Sequence, residues 1–258
     1  METLHLARHG GVVTVTLDKP QKKNAVDPAM WVEMARIWDD IARHPRRDRV
    51  VVLTGAGGDF CSGADLWLPP DEEPPHQLTA MREVSAAIQG LHDLPQPTIA
   101  KVPGVAAGAG CSLALACDLI VAGDRARFAE IFPKRGLALD GGSSWLLPRL
   151  IGLHKAKELA FFGDIISAAE AAALGLVNRV VPDAELDEFV QGWAARLAAG
   201  PPIALSLSKK LLNEASLRTM QQALEAEALS QSITLTTKDT ADAFAAFVEK
   251  REPNFQGR

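Results

Sequence analysis

Gly63-Ala64, Gly108-Ala109-Gly110 and Asp140-Gly141-Gly142 are three short glycine-containing segments, each lying after an expected strand. Small residues in such places let backbone N–H groups approach a ligand with no side chain between. A helix opening at Gly110 would aim its positive end at the same point, which suits an oxygen that gains negative charge during a reaction. Any one of these glycines is explained as readily by a turn. Three in equivalent positions favour a ligand. Asp140 is the side chain to single out, because Leu137-Ala138-Leu139 puts carbon on one side of it and two glycines leave bare backbone on the other. Desolvation there would raise its pKa and fit it to move protons near neutrality. The competing assignment is an N-cap for a helix beginning at Gly141, and local sequence favours the cap. Asp65 and Asp118 read as structural hydrogen-bonding groups at element boundaries, and Glu130, near Phe128, is a second carboxylate whose role stays open.

Strands alternating with helices must position these segments, which argues an α/β fold. Val12 to Leu17 is the opening strand, ending at Asp18-Lys19-Pro20. Asp27-Pro28 supplies an N-cap and a first helical position for Met30, Met34, Ile37, Trp38 and Ile41, which recur at helical spacing. Val50 to Leu53 is a fully apolar strand, Met81 to Leu91 a helix, and Thr98 to Val102 a strand feeding the glycine-rich turn at 104–110. A strand follows Asp118, a short helix opens near Gly141, and Ser167 with Glu170 has capping-box spacing for a helix that Gly175 ends before a last strand near Val177 to Val181. From Pro201 onward only helical periodicity remains. Its apolar stripes must pack on the core or on another subunit.

The 258 residues, 47% apolar with a net charge of −5, suit one large domain or a core with an appendage. Cations scattered among acids form no broad face for a phosphate backbone, so nucleic acid is not an expected partner. Cys61, Cys111 and Cys117 show no C-x-x-C spacing and read as reduced thiols. No apolar run reaches the ~18 residues of a membrane span, and the expectation is a soluble cytoplasmic chain. The sequence lacks tyrosine, which excludes phenolic chemistry. Gly108 and Gly110 are a poor dinucleotide fingerprint because Leu113 stands at the third glycine position. P-loop, H-E-x-x-H and G-x-S-x-G patterns are absent, and no metal site is expected. His5 and His9, flanking a first strand, read as surface residues.

Phe60-Cys61-Ser62-Gly63-Ala64-Asp65-Leu66, the run from Pro103 through Gly108-Ala109-Gly110-Cys111-Ser112 to Asp118, and Gly136-Leu137-Ala138-Leu139-Asp140-Gly141-Gly142-Ser143-Ser144 resemble motifs of the crotonase, or enoyl-CoA hydratase/isomerase, superfamily. The resemblance extends to the C-terminal Glu249-Lys250-Arg251-Glu252-Pro253-Asn254-Phe255. It implies a spiral core of ββα turns over residues 1–195, and a helical region over residues 196–258 used in assembly of trimers that pair into hexamers.

The resemblance also implies an acyl-CoA thioester substrate whose carbonyl oxygen sits between two backbone N–H groups, matching Ala64 and Ala109. Coenzyme A is then part of the substrate and no separate cofactor is expected. The positions that match its binding residues are Lys23, Asn24, Ala25, Ser62, Ala64, Asp65 and Leu66, acting mainly through backbone and charge. Lys250 would reach a phosphate from a neighbouring subunit, unless it is simply a solvated terminal lysine. Hydratases carry two glutamates that split a water. The matching positions hold Ser112 and Phe132, so ordinary hydration is not expected and Phe132 becomes a substrate contact. Asp140 matches a catalytic aspartate of several isomerases, which reverses the preference for the cap, and residues 140–149 look most like the branch acting on phenylacetate-derived epoxides, oxepins and unsaturated acyl-CoA chains. The expected activity is an enoyl-CoA isomerase with Asp140 as acid and base and Glu130 as an assistant of open orientation. A hydratase, a non-catalytic acyl-CoA-binding paralogue, and a hydrolase or dehalogenase with Asp140 as nucleophile are the alternatives. Residues 67–75 match a flap over the acyl pocket.

Overall fold

A computed structural model describes residues 3–66 and 76–258, and the expected flap at 67–75 lies outside the described residues. The chain opens with β1 (Leu4–His9) and β2 (Val12–Leu17), paired antiparallel with Leu4 opposite Leu17. The sequence reading misses β1: as an edge strand it buries only Leu4, so no alternation marks it. His5 and His9 lie within it, exposed, and do not flank it. Next comes α1 (Pro28–Arg43), capped by Asp27, whose carboxylate accepts from Met30 N at 3.0 Å. Its buried face is Met30, Met34, Ile37, Trp38 and Ile41, as the spacing predicts.

Successive turns of the chain then each lay one strand in a large sheet and a shorter extended piece in a second layer. The first turn has β3 (Val50–Gly55), an extended stretch at 61–64 and α2 (Gln77–His92). The second has β4 (Thr98–Val102), β5 (Val105–Ala107) and α3 (Ala109–Ala116). The third has β6 (Leu119–Gly123), β7 (Arg127–Ala129) and α4 (Ser143–Phe162). Expected as a short helix, α4 instead continues through a break at Gly152 for 20 residues in all. The core closes with β8 (Ile166–Ser167), α5 (Ala168–Leu174) with its Ser167–Glu170 capping box, and β9 (Arg179–Val181). The large sheet has the order β1-β2-β3-β4-β6-β9, parallel beyond the first pair, and the smaller one is β5-β7-β8. This is the mixed α/β spiral that the resemblance implies.

The run Val50 to Leu53 of β3 is apolar throughout because both faces of the sheet are covered there. On β3, Val51 and Leu53 join the core beneath α1 and α2, whereas Val50 and Val52 pack with Leu186, Val190 and Ala194 of α6 (Leu186–Ala198). The boundary expected after residue 195 therefore falls inside a helix that covers the sheet. Three further helices follow, α7 (Pro202–Glu214), α8 (Met220–Thr234) and α9 (Lys238–Glu249). The chain's own core does not cover their apolar stripe: Leu224 and Ile233 are about half exposed and Phe247 is 86% exposed. No helix of the described residues is long and apolar enough to cross a membrane.

The second layer brings the glycine segments together. Cys61 bridges Ala106 in parallel, and Ala107 N donates to Cys61 O at 2.9 Å. A Cβ on Gly110 would stand 2.2 Å from Cys61 O, so only glycine lets the start of α3 lie against that carbonyl. Replacing Gly110 by Ala forces these two backbones apart, and urea denaturation is expected to register a loss of about 3 kcal/mol or more.

Candidate active site

Ala64 and Ala109 emerge side by side where the second layer ends. Gly63, at φ +108°, permits this: a Cβ there would sit 3.0 Å from Ala107 O and 3.7 Å from Ala109 N. Ala109 is the first residue of α3, so its N–H has no partner within the helix. Beside Ala64, the neighbouring amides are occupied, with Gly63 N on Cys61 Sγ and Asp65 N on Val26 O at 2.8 Å. Among the described residues, no protein acceptor takes the N–H of Ala64 or of Ala109. Two such amides, one of them at the positive end of a helix buried on every side, are of the kind that can stabilise a negative oxygen.

Asp140 does not cap α4. The N-cap is Gly142, in the left-handed region, with no side-chain cap bond. The Asp140 carbonyl instead accepts from Ser143 N at 3.1 Å and from Ser112 Oγ at 3.2 Å, which ties its loop to the first turns of α3. Gly141 is required for this contact, since a Cβ there would lie 2.6 Å from Ser112 Cβ. The carboxyl group is left unmatched: Oδ1 is buried without a hydrogen-bond partner, and burial raises the pKa. A carboxylate with neither cation nor donor beside it is a competent base.

Ser112 and Phe132 do not form a water-holding pair. Ser112 is fully buried, and Phe132, 5% exposed, packs its ring edge about where a Cβ of Gly108 would be, at 3.9 Å. Phe132 thus forms an apolar wall behind the α3 amide. Glu130 turns inward to the site's framework: it is 2% exposed, Oε1 meets Ser143 Oγ at 3.3 Å, and Oε2 has no partner. Burial pushes its pKa up to about 7, opposed by hydrogen bonds from Cys111 and Ser143 and aided by the charge of Asp140. Burial likewise holds the Cys61 and Cys117 thiols at about 12, and all three cysteines are free.

The positions matched to coenzyme A form one stitched pair of loops. Lys23 and Asn24 both have positive φ, and Ser62 N donates to Lys23 O at 2.9 Å. Asn24 is fully buried, and both its amide hydrogens are taken, by Ala56 O and Asp59 O at 2.8 Å each. Its side chain is a clamp between loops, leaving backbone as what it can offer a ligand. Ala25 is buried and Leu66 exposed. Ser62 Oγ donates to Lys22 O. Asp65 holds Lys19 at 2.8 Å and Lys22 at 2.7 Å, so its carboxylate organises cations and does not face a phosphate alone. Lys23 Nζ stands 3.4 Å from Asp59 and is mostly exposed. Lys250 caps the end of α9 in the left-handed region, exposed, and no hydrogen bond or ion pair among the described residues joins it to these loops. Lys19 and Ser143 escaped the sequence reading as site residues and the orientation of Glu130 stayed open in it, since each depends on a partner at least 13 positions away. No group of three His, Cys, Asp or Glu side chains among the described residues could hold a metal.

Glu130 binds a proton in the folded protein across the range from its ordinary value to about 7, where the unfolded chain has lost it, so its burial weakens the fold progressively as pH rises through that window. Glu130→Gln removes this dependence. Between about pH 5 and about pH 8 the variant is expected to gain up to ~3 kcal/mol on the parent in urea denaturation.

Comparison with known proteins agrees with this geometry. The family model described as enoyl-CoA hydratase/isomerase matches residues 7–258. A protein of Rhodobacter capsulatus named probable enoyl-CoA hydratase is 37% identical over 250 residues, covering 96% of this chain and 95% of that one. The 1,2-epoxyphenylacetyl-CoA isomerase of Escherichia coli is 36% identical over 252 residues, covering 96% of each. The crystal structure of an enoyl-CoA hydratase from Bacillus anthracis superposes with a TM-score of 0.94 at 32% identity, covering 100% of both chains. A paired-amide site on a ββα spiral, matched over nearly the whole length, leaves one conclusion: the chain belongs to the enoyl-CoA hydratase/isomerase family.

Proposed function

We propose that this enzyme shifts a carbon–carbon double bond in an enoyl-CoA, with Asp140 carrying the proton. The observation that carries this reading is the buried, unpartnered Oδ1 of Asp140 beside a site in which both hydratase glutamate positions are filled by Ser112 and Phe132. Starting from a 3-enoyl thioester, the Asp140 carboxylate takes a proton from the carbon next to the carbonyl. The C–H electron pair moves into a dienolate, whose oxygen carries the negative charge and accepts from Ala64 N–H and Ala109 N–H. Asp140, now protonated, returns the proton to the far end of the former double bond, and the remaining double bond is conjugated with the thioester. Nothing is gained or lost but position. Two preorganised donors at roughly 3 kcal/mol each lower the barrier by about four powers of ten. Activity needs ionised Asp140, so kcat/KM rises with pH through a pKa above the ordinary aspartate range.

Hydration is the second reading, favoured by the name of the Rhodobacter capsulatus relative. It requires a second group to hold water, and Glu130, a carboxyl that feels the charge of Asp140, is buried against Ser143. Self-association into trimers and hexamers goes with this reading of the chain, and the uncovered apolar side chains of α8 and α9 support it.

Asp140→Asn is expected to lower kcat for isomerisation of a 3-enoyl-CoA by about 10²- to 10⁴-fold, measured by the gain of conjugated thioester absorbance. Isomerisation at the parent rate would overturn the assignment. Rapid loss of crotonyl-CoA absorbance with the parent enzyme would make it a hydratase. Sedimentation of the intact protein is expected to give a trimer or its double, and a Phe247→Asp variant to dissociate.

A further inference from the structure

Behind the reacting groups runs a chain of buried polar atoms that the reaction above does not use. Glu130 Oε1 lies 3.3 Å from Ser143 Oγ, Ser143 Oγ lies 2.9 Å from Ser112 Oγ, and Ser112 Oγ reaches Gly108 O at 3.3 Å and Asp140 O at 3.2 Å. Both serines are 0% exposed. The far end of this chain touches both halves of the site. The Gly108 carbonyl and the Ala109 N–H are two ends of one peptide group, and the Asp140 carbonyl belongs to the base itself.

We propose that Glu130 is a positioning residue: as a neutral acid it donates to Ser143, Ser143 donates to Ser112, and Ser112 donates to the Gly108 and Asp140 carbonyls, strengthening the Ala109 N–H and holding the Asp140 loop. The part that concerns Asp140 rests on the isomerase reading, whereas the part that concerns Ala109 does not.

Each hydroxyl has a single proton, so the direction of the chain follows from its first member. A neutral carboxyl can donate through its O–H. An ionised one only accepts, and takes the Ser143 proton. Ser143 Oγ then accepts from Ser112 across 2.9 Å, shorter than either carbonyl contact, and the carbonyls lose the hydroxyl donor and keep only their backbone N–H donors, Ser112 N on Gly108 O and Ser143 N on Asp140 O. A hydrogen bond to a peptide carbonyl polarises that peptide and makes its N–H a stronger donor. The groups facing Glu130 are the Cys111 thiol from α3, Ser143 from the start of α4 and the Asp140 carboxyl from the loop before it. No cation stands among them. With Asp140 ionised and Glu130 buried, reversal falls at about 7, inside the working range of an enzyme at neutral pH.

Acetoacetyl-CoA tests this, because its enolate absorbs in the near ultraviolet and reports the amide donors without any double-bond shift. At about pH 6, Ser112→Ala and Glu130→Leu are each expected to reduce the ratio of bound enolate to keto form about tenfold, and Glu130→Gln, which can still donate to Ser143, to stay within about twofold of the parent. From about pH 6 to about pH 8 the parent's ratio is expected to fall several-fold relative to that of Glu130→Gln, since only the parent can ionise there. Three results would each overturn the proposal: an unchanged ratio in Ser112→Ala, a ratio in Glu130→Gln as low as in Glu130→Leu, or parallel pH profiles for parent and Gln variant. Ser112→Ala keeps its Cβ and its packing, so it decides the matter even if Glu130→Leu does not fold. If Asp140→Asn isomerises normally, the isomerase reading fails while the enolate ratios still judge the relay.

Discussion

The whole site depends on two backbones lying against each other without side chains between them. Where Gly110 meets the Cys61 carbonyl and Gly63 meets the Ala107 carbonyl, a methyl group would stand 2.2 Å and 3.0 Å from the opposing oxygen. That approach lets the 61–64 stretch pair with β5, and the pairing leaves the amides of Ala64 and Ala109 at the same edge with nothing of their own to bind. A folded protein ordinarily satisfies such groups. Here the geometry that brings the two amides together also leaves them without partners among the described residues.

Around the Ala109 amide, Phe132 and the residues of α3 are buried. Ser112 and Phe132 put a hydroxyl engaged in the framework and an aromatic wall where two carboxylates would hold water. The carboxyls that do occur are treated differently. Asp140 is half-buried with one oxygen unmatched and its carbonyl tied to Ser112, whereas Glu130 is enclosed, its pKa pushed up to about 7 by burial, and it meets Ser143 of the framework. Two carboxyls close together in low dielectric do not ionise alike. The surroundings of Asp140 leave one oxygen without a partner, whereas those of Glu130 tie it to the scaffold.

The loops that match coenzyme A positions are built on ion pairs and clamps. Asn24 joins two loops through three hydrogen bonds, and Asp65 gathers Lys19 and Lys22. These side chains set the shape of the loops, so what remains for a large anionic ligand is backbone and lysine charge. A residue type that looks like a ligand contact in sequence can therefore be the piece that holds the contact in place.

Local sequence determined the elements whose signals are local. Asp27-Pro28 with its apolar spacing, the Ser167–Glu170 box and the doubly buried run of β3 each carry their cause within a few residues, and they fold as read. The glycine segments stood out because small residues are local facts too, whereas local sequence favoured a cap for Asp140 over a proton carrier and only the family resemblance reversed that. What lacked a local signal was missed: β1 buries one residue, the α4 helix runs on past Gly152, and α6 belongs with the sheet because of Val50, Val52 and Val121 far upstream. Only the tertiary structure decided that Asp140 does not cap its helix, that Asn24 is a clamp, and that Glu130 reaches Ser112 through Ser143. The reason is that burial and pairing are properties of neighbours in space, and those neighbours are 13 to 35 residues away along the chain.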